Sequence, residues 1–90
     1  KRWVVVSPGE GSAEILLAKG ANEAQFARIG DQTGGRVAFF LHSDNFDRDH
    51  AAFLARGVSF LEAPREEAYG KVAVFADIYG NKWDLVQPKA

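Results

Sequence analysis

Five side chains in this 90-residue chain have types and settings that suggest chemistry: Glu14, Arg36, His42, Tyr69 and Asp84. Asp84 stands out first. In "KWDLVQ" it sits between Trp83 and Leu85, a carboxylate in a run otherwise suited to packing. Three roles suit such a group: metal ligand, substrate contact or solvated surface charge. Strand side chains alternate, so if Trp83 and Leu85 pack on a helix, Asp84 points to the opposite face. Arg36 is a permanent cation with no lone pair, so it can hold an anion or a carboxylate but cannot ligate a metal. His42 shares the Arg36 face but lies further along the strand, roughly 20 Å away at about 3.3 Å per residue. It suits a surface position first, and a substrate contact or proton transfer second. Tyr69, beside Gly70 in an expected loop, is placed for the lip of a pocket. Trp3 and Phe75 are also able to stack on a flat ligand, with core packing as their default.

The bulk composition removes whole classes of function. Lys and Arg total 11 against 12 Asp and Glu, a net charge of -1. Nucleic acid and anionic membranes both ask for a basic surface, so neither is an expected partner. No apolar run is long enough to span a bilayer. With no cysteine there is no disulfide, no thiolate nucleophile and no cysteine zinc site, which fits a cytoplasmic location. "SPGEGS" lacks the lysine and following helix of a phosphate loop, and "GDQTGG" is a joint rather than a nucleotide fingerprint. The chain has no methionine and opens directly on "KRWVVV". The expectation is a part of a longer product, trimmed at its N-terminus.

The elements that must position these residues are short. "RWVVV" (2–6) and "AEILLAK" (13–19) read as the two strands of a hairpin around the turn-forming "SPGEGS". Residues 20–35 form a glycine-flanked connector, with a short helix over 22–29 capped by Asn22. "RVAFFLH" (36–42) is a strand whose Arg36, Ala38, Phe40 and His42 share one face. Next comes an amphipathic helix with Phe46, His50, Phe53 and Leu54 on its apolar stripe, Asp44 or Asn45 as cap and Gly57 as stop. His50 on that stripe is a packing residue. A strand at 58–62, a charged loop at 63–70, and strands at 71–77 and 82–87 follow. The last two are joined by a turn at 77–81, in which Gly80 takes positive φ.

The order is ββ followed by βαβββ. With "RWVVVSPGEGSAEILLAK", "IGDQTGGRVAFFLHSDNFDRDHAAFLARGVSF", "YGKVAVFADIYGN" and "KWDLVQP", it resembles the vicinal oxygen chelate superfamily of glyoxalase I, bleomycin-resistance proteins and extradiol dioxygenases. The resemblance implies an α+β fold of paired βαβββ modules. Residues 1–19 would be the C-terminal hairpin of a first module lacking its leading strand and helix. Residues 20–35 would be the connector and 36–90 a complete second module, in one domain overall. It also implies a ligand pocket on the concave side of the sheet. In metal-dependent members, four pocket side chains hold a divalent cation. Glu14 and Asp84 stand at two of those positions, and Arg36 stands where a histidine is usual.

That substitution leaves two carboxylates, few for the three or four ligands that Zn²⁺, Ni²⁺, Mn²⁺ or Fe²⁺ sites use. The favoured expectation is no metal, with Glu14, Arg36 and Asp84 joined in a charge-assisted network. That network would either serve a ligand or tie the module joint together. The reading is a glyoxalase-like protein of unproven activity that binds a small molecule, an anion being one class. Its ligand contacts would be Glu14, Arg36, His42, Tyr69 and Asp84. The alternative is a metal-dependent lyase of the lactoylglutathione lyase kind, or a dioxygenase, completed by an N-terminal segment or a second chain. A homodimer, with or without exchanged modules, is the expected assembly.

Overall fold

Turn chemistry at "SPGEGS" folds β1 (Val5–Val6) against β2 (Ile15–Leu16) as an antiparallel pair. The computed structural model describes residues 4–89, so Arg2 and the stacking role expected of Trp3 lie outside the described residues. The connector carries α1 (Glu23–Ala27), capped as expected: the Asn22 side chain accepts the Gln25 N–H at 2.9 Å. Gln25 answers by accepting the Ala21 N–H at 2.7 Å, the residue before the cap, so one orphan donor of the helix and one donor of the incoming chain are satisfied together.

The second half forms one sheet and one helix. In chain order come β3 (Phe39–His42), α2 (Phe46–Ala55), β4 (Ser59–Phe60), β5 (Arg65–Glu67), β6 (Gly70–Ala76) and β7 (Lys82–Pro88). The sheet order is β3-β7-β6-β4, with β5 also paired to β6. Most pairs are antiparallel, but β3 runs parallel to β7. Parallel neighbours need a long crossover. The chain supplies it through α2 and the strands after it.

α2 is fastened to the sheet by its first residue. Phe46 is fully buried and packs with Ala73, Phe75 and Leu85, around which Leu41, Phe53, Val58, Phe60 and Trp83 close. The Asn45 side chain caps the helix by accepting the Arg48 N–H, and Gln87 on β7 accepts the Phe46 N–H at 2.7 Å. His50 is half-buried between two rings, stacked on Phe46 (5.4 Å) and tilted on Phe60 (4.4 Å). Leu54 departs from the expected stripe and is 52% exposed. Eight positions after Phe46 it lies about 80° round the helix, off the centre of the buried face.

Two strand expectations need correction. The strand foreseen over 36–42 starts only at Phe39. Thr33 Oγ1 donates to the Arg36 carbonyl and Lys82 Nζ to the Gly35 carbonyl, so the chain is still turning there. Residues 63–70, foreseen as a loop, contain β5. Its charged composition hid an edge strand, where exposed charges are well tolerated. Ala68 and Tyr69 turn the chain, and Gly70 then starts β6 hard against β7. A Cβ on Gly70 would stand 2.2 Å from the Gln87 carbonyl oxygen, so only glycine fits.

The β6–β7 register is set by one carboxylate in the turn. Asp77 accepts the Tyr79 and Asn81 N–H groups (both 2.9 Å), Asn81 Nδ2 (3.0 Å) and Trp83 Nε1 (3.1 Å). Burial alone would raise the Asp77 carboxyl, but these donors outweigh it and hold it below its ordinary value. The folded-state value is thus the lower one. Its stabilisation is present above the unfolded value and is lost as pH falls through the folded one. Asp77→Ala is expected to cost about 1–3 kcal/mol at neutral pH, the penalty for stranding donors. Urea unfolding should show that cost shrinking below about pH 3.8.

Candidate functional site on the sheet face away from α2

β7 divides its side chains between two environments. Leu85 joins the core beneath α2, and Trp83 packs against that core and along Phe39 at 4.6 Å. Asp84 and Val86 therefore belong to the opposite face. Register builds that face into rows. Asp84 lies between Val74 on β6 and Phe40 on β3, and the Leu61 N–H donates to the Val74 carbonyl (2.9 Å), bringing Leu61 into the same row. The neighbouring row reads Arg65, Val72, Val86 and His42.

Asp84 is the one buried acidic residue among those described, only 6% exposed, and its Oδ1 is sealed from solvent with no hydrogen-bond partner. Leaving a buried charged acceptor unpaired is costly, and native structures seldom do so without a reason. Burial pushes its carboxyl above the ordinary value; Arg65 opposes this and Glu62 adds to it. Arg65 is occupied elsewhere. Its guanidinium bonds Glu62 (2.6 Å) and Glu67 (2.7 Å), and these partners, with the Tyr69 hydroxyl, hold it above its ordinary value. The shoulders of the row are apolar and open: Phe40 is 65% and Leu61 51% exposed.

Of the five residues singled out from sequence, three gather here. Asp84 is central, His42 is exposed in the next row, and Tyr69 sits beside Arg65. Arg36 stays in the turn before β3 and Glu14 is exposed ahead of β2. Among the described residues no ion pair joins Arg36, Glu14 and Asp84, so the expected charge network is not formed. The cation that Asp84 feels is Arg65. Arg65 is hidden in "PREE", which looks like a solvated loop, and Glu62 ends the strand expected over 58–62. The available signal was the alternation of Arg65 and Glu67 just before a turn and a glycine.

Asp84 lines neither of two cavities, of about 350 and 550 Å³, although Phe40 borders the smaller. The smaller runs along the outer edge of β3, between Val6, Ile15, Phe40 and Leu41. The larger lies among Leu16, Phe26, Tyr79 and Trp83. Residues of β1 and β2 line both, and these strands form their own two-stranded sheet apart from β3.

The donor set does not fit a divalent cation. Among the described residues no three His, Cys, Asp or Glu side chains converge, whereas such sites draw on three or four. Asp84 is instead a stability liability. Its folded-state carboxyl is raised, so its penalty is absent below the ordinary value of 3.8 and appears as pH rises through the folded one. Asp84→Leu is expected to stabilise the protein by about 1–3 kcal/mol at neutral pH. Chemical denaturation across pH should show this gain fading towards acid.

No family model matches the chain. An uncharacterized protein of Shewanella frigidimarina (strain NCIMB 400) is 50% identical over 88 residues, which cover 97% of this chain and 65% of that protein. The chain thus spans just under two thirds of that relative's length. Among solved structures, UcmS2 superposes with a TM-score of 0.78 at 29% identity, covering 94% of this chain and 69% of that one. TnmS3, an antibiotic binding protein from Streptomyces sp. CB03234, gives 0.73 at 27% identity, covering 98% and 66%. A glyoxalase/bleomycin resistance protein from the same Streptomyces gives 0.67 at 26% identity, covering 96% and 68%. With a parallel β3–β7 pair, a crossover through α2 and these neighbours, the chain has the fold of the glyoxalase/bleomycin resistance proteins.

Proposed function

We propose that this chain binds a small molecule, with its ligand seated over Asp84 on the sheet face away from α2. One observation carries the reading: a buried carboxylate oxygen without a partner, flanked by the exposed Phe40 and Leu61. Such an acceptor costs stability in the free protein and is repaid when a ligand supplies the missing donor. The likeness to TnmS3, an antibiotic binding protein, supports binding as the task. His42 and Tyr69 are then rim contacts.

Two-dimensional NMR of ¹⁵N-labelled protein with a fragment library tests the placement. Hits are expected to shift Phe40, Leu61 and Asp84 amides together. Hits that move only residues of the two cavities, such as Ile15 and Leu16, would locate the ligand elsewhere.

The reading extends to assembly. Residues 1–19 act as the end of a first module, 20–35 as connector and 36–90 as a second module. The working form is a cytoplasmic homodimer, with or without exchange of modules. Its motive is apolar exposure around the outer edge of β3: Val6 at 45%, Leu16 at 44%, Leu17 at 47% and Phe39 at 39%. Contiguous exposed apolar surface marks contact sites. Sedimentation velocity at micromolar concentration should give a dimer, and a stable folded monomer would remove this part of the reading. No described helix is long and apolar enough to cross a membrane.

A further inference from the structure

We propose that the Asp84 site selects organic cations: a protonated amine or amidine carried on an apolar, preferably aromatic, body. This rests on the reading of that face as a small-molecule site and adds the charge of its ligand. The first ground is the acceptor itself. Asp84 is 94% buried by its 6% exposure, and Oδ1 has no donor. A neutral donor would satisfy the hydrogen bond, but only a cation also meets the charge.

The second ground is the local charge balance. The nearby cation, Arg65, directs its donors to Glu62 and Glu67 at 2.6 and 2.7 Å, and the Glu62 charge also bears on Asp84. Two carboxylates already bond the single cation, so Arg65 offsets the burial of the Asp84 charge only in part. An anionic ligand would meet an excess of negative charge here. Arg36, the expected anion anchor, stands in the turn before β3 and has no part in this cluster.

The third ground is shape. Phe40, on one side of Asp84, and Leu61, beyond Val74 on the other, are large apolar side chains left exposed. They offer contact area to an apolar body while its charged nitrogen points down the row, and the Phe40 ring face also attracts a cation. Oδ1 is shielded from solvent, so binding includes a local rearrangement that uncovers it.

The test uses three probes on one aromatic body with the full-length protein: 1-naphthylmethylammonium, 1-naphthalenemethanol and 1-naphthoate. Calorimetry gives affinities and amide shifts give location. The ammonium is expected to bind about tenfold to a hundredfold tighter than the alcohol, the worth of a hydrogen bond to a charged group, with naphthoate weakest. Asp84→Asn should erase most of the advantage of the ammonium over the alcohol. Asp84→Leu serves as the second variant should Asp84→Asn fold poorly. If the alcohol shifts Phe40 and Leu61 but the ammonium gains nothing, or naphthoate binds best, the cation inference falls and the small-molecule reading stands. If none of the probes perturbs this face, both fall.

Discussion

The Asp77 carboxylate is the contact on which the rest depends. By collecting two backbone N–H groups, an amide and an indole N–H, it fixes the length and shape of the β6–β7 turn. Turn geometry sets register, and a slip of one residue would turn every side chain of a strand to the other face. With the register fixed, Trp83 and Leu85 meet the core under α2 and Asp84 is committed to the opposite side. The site is thus a consequence of the turn. Trp83 joins the two directly, since its ring packs in the sheet while its N–H closes the turn.

Asp77 and Asp84 make an instructive pair on one hairpin. Both are carboxylates drawn out of water, yet their energetics are opposite. Asp77 is surrounded by donors that favour its charged form, and Asp84 has none for Oδ1. Burial pushes both the same way, and hydrogen bonding decides the difference. An acceptor so poorly served weakens the folded state, and a binding site is one of the few settings in which it has a use. The remaining polar groups at the helix side are well matched by comparison: Ser43 accepts the Asn45 N–H and donates to Asp49, and Gln87 serves the first turn of α2.

Much of this was legible in the residues themselves. Period-two alternation in "KWDLVQ" placed Asp84 opposite its neighbours, and the helix stripe named Phe46 and Phe53 as core. Both signals are local, and both survive in the fold. What the residues concealed was long-range. Arg65 reaches the Asp84 neighbourhood only because β5 pairs with β6, a contact that charge-rich "PREE" does nothing to advertise. Arg36 was placed on a strand by composition, but side-chain bonds from Thr33 and Lys82 keep that backbone turning. The expected Glu14–Arg36–Asp84 network failed for the same reason: it required two separate sheets to meet at a point no local rule specifies.

The parallel pairing of β3 with β7 has a temporal consequence. Phe40 and Asp84 face each other across that pair, yet α2 and three strands intervene along the chain. Closing so long a loop costs entropy before any contact repays it, and such pairings form slowly. The hairpins and α2 have their own local contacts and can assemble early. The row containing Asp84 cannot exist until the last strand docks beside β3. The face that carries Asp84 therefore forms only after β7 has docked beside β3, when the hairpins and α2 can already be in place.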